Sequence, residues 1–274
     1  MYNNIISFLI GIIEGITEWL PVSSTGHMIL FESFWPLDMS KEFIQMFNVV
    51  IQLGAILAVV VLYFKKLFPF SFKKDEPFID KGIMTLWGKI IISCVPAAVV
   101  GLFFDDAIDK AFYHATPIAI ALIVFGVFFI VVENRNKKRA PTKRSLAMIT
   151  FTDAAIIGAF QVLAAVFPGV SRSGATIIGA ILIGVSRTIA AEYTFFLAIP
   201  VMAGASLLKL MKFGFSFTLE EILVLIIGSV TAFAVSLVSI KFLTGYVKKH
   251  DFKIFGVYRI ILGIAVIVIL EFVK

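Results

Sequence analysis

Charge is scarce in this sequence. Asp, Glu, Lys and Arg make up 15% of its 274 residues, whereas soluble domains carry about 25%. Hydrophobic residues make up 60% and the mean hydropathy is +1.01. A water-soluble fold of this size could not cover so much apolar surface, so lipid must be much of its solvent, and the helix-length apolar segments make it an all-α polytopic membrane protein. Cysteine is almost missing. Cys94 stands alone, which excludes an internal disulfide and a cysteine-rich metal site; inside the apolar run 90–100 it reads as packing filler. There is no Walker A lysine motif and no Rossmann glycine fingerprint, so ATP and dinucleotide use find no support. A basic n-region and a small-residue cleavage site are also missing from the first residues, which are therefore expected to belong to the mature protein. The net charge of +6 does not point to nucleic acid. The basic residues cluster between apolar runs, where a membrane protein places its cytoplasmic loops.

A helix needs about 20 mostly apolar residues to cross the hydrocarbon core. Six segments qualify or come close, at about 43–64, 83–104, 117–132, 188–212, 221–243 and 254–273. The regions 1–36 and 149–186 do not fit a simple crossing. Each starts with an apolar helix-like stretch, breaks at a proline followed by serines, and resumes with a run too short to span. One basic loop holds Lys65, Lys66, Lys73, Lys74 and Lys81. A second holds Arg135, Lys137, Lys138, Arg139, Lys143 and Arg144, and Lys248, Lys249 and Lys253 flank a third. With all three in the cytoplasm, parity makes region 149–186 start and end inside and region 1–36 start and end outside. Both are expected to be re-entrant helical hairpins, entering from opposite faces.

The two hairpins also resemble each other. GIIEGITEWLPVSSTGHMI from Gly11 aligns with GAFQVLAAVFPGVSRSGATI from Gly158, pairing Gly11 with Gly158, Glu14 with Gln161 and Pro21 with Pro168. With one extra residue admitted, Ser23-Ser24-Thr25-Gly26 aligns with Ser171-Arg172-Ser173-Gly174. Each hairpin precedes three crossings, and an odd number inverts the second copy. The expectation is one membrane domain made of an inverted-topology repeat, 1–133 and 149–274, whose broken helices build a polar site near the midplane.

Ionisable groups in apolar segments are costly and need a reason. Glu14 and Glu18, four apart, share one helix face among Ile12, Ile13, Ile16, Trp19 and Leu20. Such a pair suits a divalent cation, Mg²⁺ or Ca²⁺. After the break, the hydroxyls and amides of Ser23, Ser24, Thr25 and Gly26 make an anion site at a helix start. His27 is the only histidine among the apolar segments, and could serve as a base toward a serine or an acid toward a leaving group. In the second hairpin Arg172 stands among Ser171, Ser173, Gly174 and Thr176. A guanidinium there matches phosphate oxygens; pairing with Glu14 or Glu18 is the structural alternative, and both can hold in different states. Gln52 and Glu192 follow the two hairpins and could line the same cavity or serve as structural hydrogen-bonding groups. Arg187 reads as a structural residue at the cytoplasmic boundary.

EGITEWLPVSSTGH (14–27), VVIQLGAILAVV (49–60), PGVSRSGATI (168–177) and SRTIAAEYTF (186–195) resemble the undecaprenyl pyrophosphate phosphatase family of bacterial membrane enzymes. The likeness covers essentially the whole chain. It implies removal of the terminal phosphate from the polyprenyl pyrophosphate lipid, recycling of the monophosphate carrier for cell-wall synthesis, and bacitracin resistance. Carried onto this sequence, the family's acidic pair falls on Glu14 and Glu18 with a divalent-cation role, its serine on Ser24, its histidine on His27 and its arginine on Arg172. The resemblance also implies a homodimer in the cytoplasmic membrane with its site open to the extracytoplasmic side. On the residues alone, Ser24 with His27 as its base competes with a water nucleophile activated by His27. A transporter or translocase of a lipid phosphate is the rival reading, since inverted repeats with broken helices also build transporters.

Overall fold

The computed structural model describes residues 1–73, 77–137 and 139–273; Lys74 and Lys138, two of the basic loop residues, lie outside them. Among the described residues there is no strand beyond two isolated bridges. The first half holds α1 (Tyr2–Thr17), α2 (Ser24–Phe34), α3 (Lys41–Val50), α4 (Gln52–Leu62), the single turn α5 (Phe64–Leu67), α6 (Lys81–Phe112) and α7 (Ala115–Asn136). The second half holds α8 (Phe151–Val166), α9 (Arg172–Leu182), α10 (Arg187–Phe213), α11 (Leu219–Tyr246) and α12 (Lys253–Ile267).

Six helical stretches are long and apolar enough to cross a membrane: Lys41–Leu62, Lys81–Phe104, Ala115–Asn136, Arg187–Phe213, Leu219–Tyr246 and Lys253–Leu270. They coincide with the six expected crossings. The first is two helices, α3 and α4, joined at Ile51, which keeps helical dihedrals. Leu57, Val61, Leu102, Phe103, Val124, Val131, Val230, Val238 and Ile261 are more than half exposed along these stretches, a surface that lipid rather than water satisfies.

Polar contacts define two ends of the bundle. At one end the basic loops meet. Lys66 pairs with Glu192, Arg187 pairs with Glu133, and Glu133 also accepts the Phe252 N–H. Lys143 Nζ bridges Asp153 Oδ1 at 2.7 Å and the Ile183 carbonyl at 3.1 Å, tying the start of α8 to the end of α9. At the other end the Asn3 amide donates to the Asp38 carbonyl at 3.2 Å and its oxygen accepts the Asp38 N–H at 2.9 Å. That links the start of α1 to the turn after α2. Arg187 therefore sits with the basic loops in a structural pair.

The four hairpin helices are short. At 1.5 Å per residue, α1 and α8 reach about 24 Å and α2 and α9 about 16 Å, against a hydrocarbon core of about 30 Å. Proline ends the first helix of each pair, because Pro21 and Pro168 can neither donate an N–H nor fit the preceding turn. The long helix neighbours then pack in a regular scheme: α1 lies on α11, α8 on α6, and α7 on α12. Glycines permit the close approaches. A Cβ on Gly11 would stand 2.6 Å from the Gly228 carbonyl oxygen, and one on Gly158 would stand 2.6 Å from that of Ser93. The largest core cluster surrounds α9, whose residues Ser173–Ile181 are all buried. In α2, by contrast, only Gly26 and Met28 are buried, so this helix keeps an open flank with Phe34 and Trp35 half exposed at its end. Trp19, fully buried, packs edge-on against Phe195 and anchors the first hairpin to α10.

Candidate active site

The two breaks fold alike. Ser23 and Ser171 both cap the following helix from a positive-φ conformation, φ 74° and 68°. For a residue with a Cβ this costs about 1–3 kcal/mol and persists only where the surroundings enforce it. Each cap oxygen accepts an N–H three residues on, Gly26 for Ser23 and Gly174 for Ser171. The sharp reversal aims the first turns of α2 and α9 at common ground, and two helix N-termini with free amides favour an anion there.

That ground holds three side chains in series. Ser24 Oγ donates to Glu18 Oε2 at 3.1 Å. Arg172 Nη2 donates to Glu18 Oε1 at 3.0 Å, and its Nη1 donates to the Thr194 carbonyl at 2.9 Å. Arg172 Nε is buried without a hydrogen-bond partner, so the guanidinium has unspent capacity. A cavity of about 160 Å³ opens on this group, lined by Glu18, Ser23, Ser24, Thr25, Gln52, Pro168, Gly169, Ser171 and Arg172 from the polar side. Val201, Met202 and Ala205 of α10 and Ala164 of α8 form its apolar wall.

The remaining expected residues take separate places. Glu14, 1% exposed, lies one helical turn from Glu18, and its Oε1 has no hydrogen-bond partner. His27 does not bond Ser24: its Nδ1 meets the Ser23 carbonyl at 2.7 Å and its Nε2 meets the Tyr258 hydroxyl at 2.7 Å. Ser173 contacts Ser171 Oγ and the Leu20 carbonyl, while Thr176 back-bonds to the Arg172 carbonyl and meets the Thr194 hydroxyl. These two stiffen the start of α9 beneath the cavity. Gly26 and Gly174 are tight packing positions, the first against Leu122, the second against Phe129 and Arg259. Gln52 reaches the cavity; Glu192 instead pairs with Lys66 at the basic end.

The family model of the bacitracin resistance protein BacA matches residues 7–265. The chain belongs to the bacitracin resistance protein BacA family. It is 60% identical over 261 residues to an undecaprenyl-diphosphatase of Desulfitobacterium hafniense, covering 95% of this chain and 94% of that one. It is 61% identical over 262 residues to undecaprenyl-diphosphatase 1 of Clostridium acetobutylicum, covering 96% and 95%. An undecaprenyl-diphosphatase of Enterococcus faecalis is 60% identical over 261 residues, covering 95% and 94%.

Two features of this family member escaped the motif reading. Thr194 supplies the carbonyl that orients Arg172, a backbone role that no side-chain pattern signals. Tyr258 and Arg259 of α12 bond His27 and the carbonyls of Pro21 and Gly169 without lining the cavity. Here a signal existed: Arg259 is a charge inside the apolar run 254–273, which by itself asks for an explanation. The donors also bear on a metal. Among the described residues no group of three or more His, Cys, Asp or Glu could hold one. Mg²⁺, however, is commonly held by one or two carboxylates together with substrate phosphates and water. Glu14, with an orphaned buried oxygen, and Glu18 one turn away fit that mode.

Proposed function

We propose that this chain hydrolyses undecaprenyl pyrophosphate to undecaprenyl phosphate and inorganic phosphate, which recycles the lipid carrier for cell-wall synthesis and lowers the target of bacitracin. One observation carries the assignment of the reaction to this site. Ser24, at the start of a helix, donates to Glu18, whose other oxygen holds Arg172 from the second hairpin. A nucleophile, a proton acceptor and a phosphate fork thus stand in one series beside a cavity.

In our reading the terminal phosphoryl group enters against the amides of α2 and α9. Its oxygens draw the Arg172 fork away from Glu18 Oε1, while Oε2 keeps the Ser24 hydroxyl. Ser24 Oγ attacks phosphorus while its proton passes to Glu18 Oε2. The bridging P–O bond breaks and undecaprenyl phosphate leaves. Water then attacks the phosphoserine and gives its proton to the Glu14 carboxylate; the Ser–O–P bond breaks, the proton held by Glu18 returns to Ser24 Oγ, and free phosphate leaves. Arg172 and the two helix starts offset the charge on the transferring group throughout. Glu14 and Glu18 would hold a Mg²⁺ or Ca²⁺ ion, which supplies Lewis-acid polarisation of the phosphate oxygens. Direct attack by water under His27 is the less supported version, because both ring nitrogens of His27 are already engaged.

The same reading extends to topology. Asn3 closes the first hairpin at one end of the bundle and Lys143 closes the second at the other, which supports re-entrant hairpins from opposite faces. Exchanging the halves turns α1 on α11 into α8 on α6 and returns α7 on α12 to itself, which supports an inverted repeat. With the basic loops in the cytoplasm, the cavity wall from Val201 to Ala205 lies in the far half of α10. That favours a site in the cytoplasmic membrane open to the extracytoplasmic side, with the polyprenyl tail along the exposed flank of α2. A homodimer rests on the family resemblance alone. The test is phosphate release from undecaprenyl pyrophosphate by the purified chain in detergent, with and without a chelator. Release that the chelator stops is expected; no release at all would favour a lipid-phosphate translocase.

A further inference from the structure

Arg259 is fully buried, yet among the described residues it forms no ion pair with a carboxylate. Its Nη2 donates to the Gly169 carbonyl at 2.8 Å and its Nη1 to the Pro21 carbonyl at 3.3 Å. These carbonyls belong to the two breaks, so one guanidinium grips both. Phe125 and Phe129 of α7 stand 5.9 and 6.0 Å from its centre and soften its burial through their ring faces. The neighbouring residue works on the same ground. The Tyr258 ring stacks on His27, with centroids 5.6 Å apart and planes at 10°, and its hydroxyl meets Nε2 at 2.7 Å. A carbonyl only accepts, so the bond to the Ser23 carbonyl places the proton of neutral His27 on Nδ1. Nε2 then accepts from Tyr258.

We propose that Tyr258 and Arg259 are the positioning element of the phosphate site: Arg259 sets the spacing of the two break loops, and Tyr258 holds the ring of His27 against the Ser23 carbonyl of the first break. Neither touches the cavity. The planar fork is what the first role needs, because a lysine ammonium is a point charge and does not reproduce the two directions in which Arg259 donates. The kinetic part of this proposal rests on the phosphatase reading; the contact between Tyr258 and His27 does not.

The experiment uses the full chain in detergent. For Tyr258→Phe, elution as wild type is expected, with kcat lowered about tenfold and KM within about twofold, since small losses of orientation act on turnover. For Arg259→Lys, kcat/KM should fall about 100-fold. In ¹⁵N-histidine spectra, with the His27 signal assigned by its loss in His27→Gln, the wild type should show one Nδ1–H tautomer. Tyr258→Phe should keep that tautomer but shift the Nε2 resonance, because that nitrogen loses its donor. Wild-type kinetics in Tyr258→Phe, an unchanged Nε2 resonance there, or wild-type kcat/KM in Arg259→Lys would each overturn the proposal. Should Arg259→Lys fail to fold, Tyr258→Phe alone decides, because its only change is one hydroxyl. A wild-type chain that releases no phosphate would sink the phosphatase reading, while the spectra still decide the role of Tyr258.

Discussion

Arg172 and Glu18 stand 154 residues apart in sequence and 3.0 Å apart in space. The pair joins the two hairpins across the cavity, with the two side chains 11% and 8% exposed. Breaking such a buried pair leaves a charge unpaired, so the contact also holds the halves together before substrate arrives. In the proposed mechanism a phosphate replaces Glu18 on this guanidinium, whose buried Nε has no hydrogen-bond partner.

The fork geometry makes Arg172→Lys a severe change. The charge stays, but two directed donors to Glu18 and Thr194 become one ammonium. We expect kcat to fall about 100-fold or more, in the range seen when a transition-state donor is removed, with the folded fraction near wild type. Steady-state phosphate release in detergent measures this. Turnover within a factor of a few of wild type would place the phosphate elsewhere.

The order of events at Ser24 is open to a direct trap. Acid quenching of the wild type with substrate labelled in the terminal phosphate should leave label on the protein, and Ser24→Ala should leave none while losing most turnover. Glu18→Gln should also accumulate little, since the amide cannot take the serine proton. Near-normal rates in Ser24→Ala would mean that water attacks the pyrophosphate directly.

How much of this was legible before the structure can be judged from particular residues. The six crossings follow from hydrophobic length, and their physical cause is local: a helix satisfies its own backbone wherever lipid offers no partner. The two break motifs were legible for the same reason, because proline, glycine and serine act on the chain next to them. Contacts through space were not. Spacing allows His27 to reach Ser24, but the structure turns its ring to Ser23 and Tyr258 and gives the Ser24 proton to Glu18. Glu192 shares a motif with the site residues, yet Lys66, brought near by α5, takes it. Arg259 announced itself as a charge in lipid, but its partners are carbonyls 90 and 238 residues away, and sequence carries no mark of which carbonyls are left over.

The matched glycines yield a packing prediction. In Gly158→Ala the new methyl meets the Ser93 carbonyl oxygen at 2.6 Å, and in Gly11→Ala it meets that of Gly228 at the same distance. Backbone cannot rotate out of the way as a side chain can, so helix pairs must separate. Each variant should lose about 1–3 kcal/mol, typical of overpacking, seen as a lower thermal midpoint in detergent. Gly204→Ala is the control, since nothing stands within 4 Å of its Cβ position; it should melt at or slightly above wild type because alanine favours the helix. Equal melting of all three would mean that the α1–α11 and α6–α8 contacts are looser than described.

Orientation is the last point on which the chemistry depends, because a site facing the wrong compartment would meet a different pool of lipid. Lys66, Arg187 and Lys143 all lie at one end of the bundle, held there by Glu192, Glu133 and Asp153. The cavity wall at Val201–Ala205 lies toward the other end, where α10 finishes at Phe213. A single cysteine at Arg139, in a chain with Cys94→Ala, should therefore stay unlabelled by a membrane-impermeant maleimide in intact cells and become labelled after lysis. A cysteine at Phe215, 74% exposed in the turn after α10, should be labelled from outside. The reverse pattern would put the cavity mouth in the cytoplasm. It would also break the link drawn from clustered lysine and arginine to orientation, and the site would then act on lipid arriving at the inner leaflet.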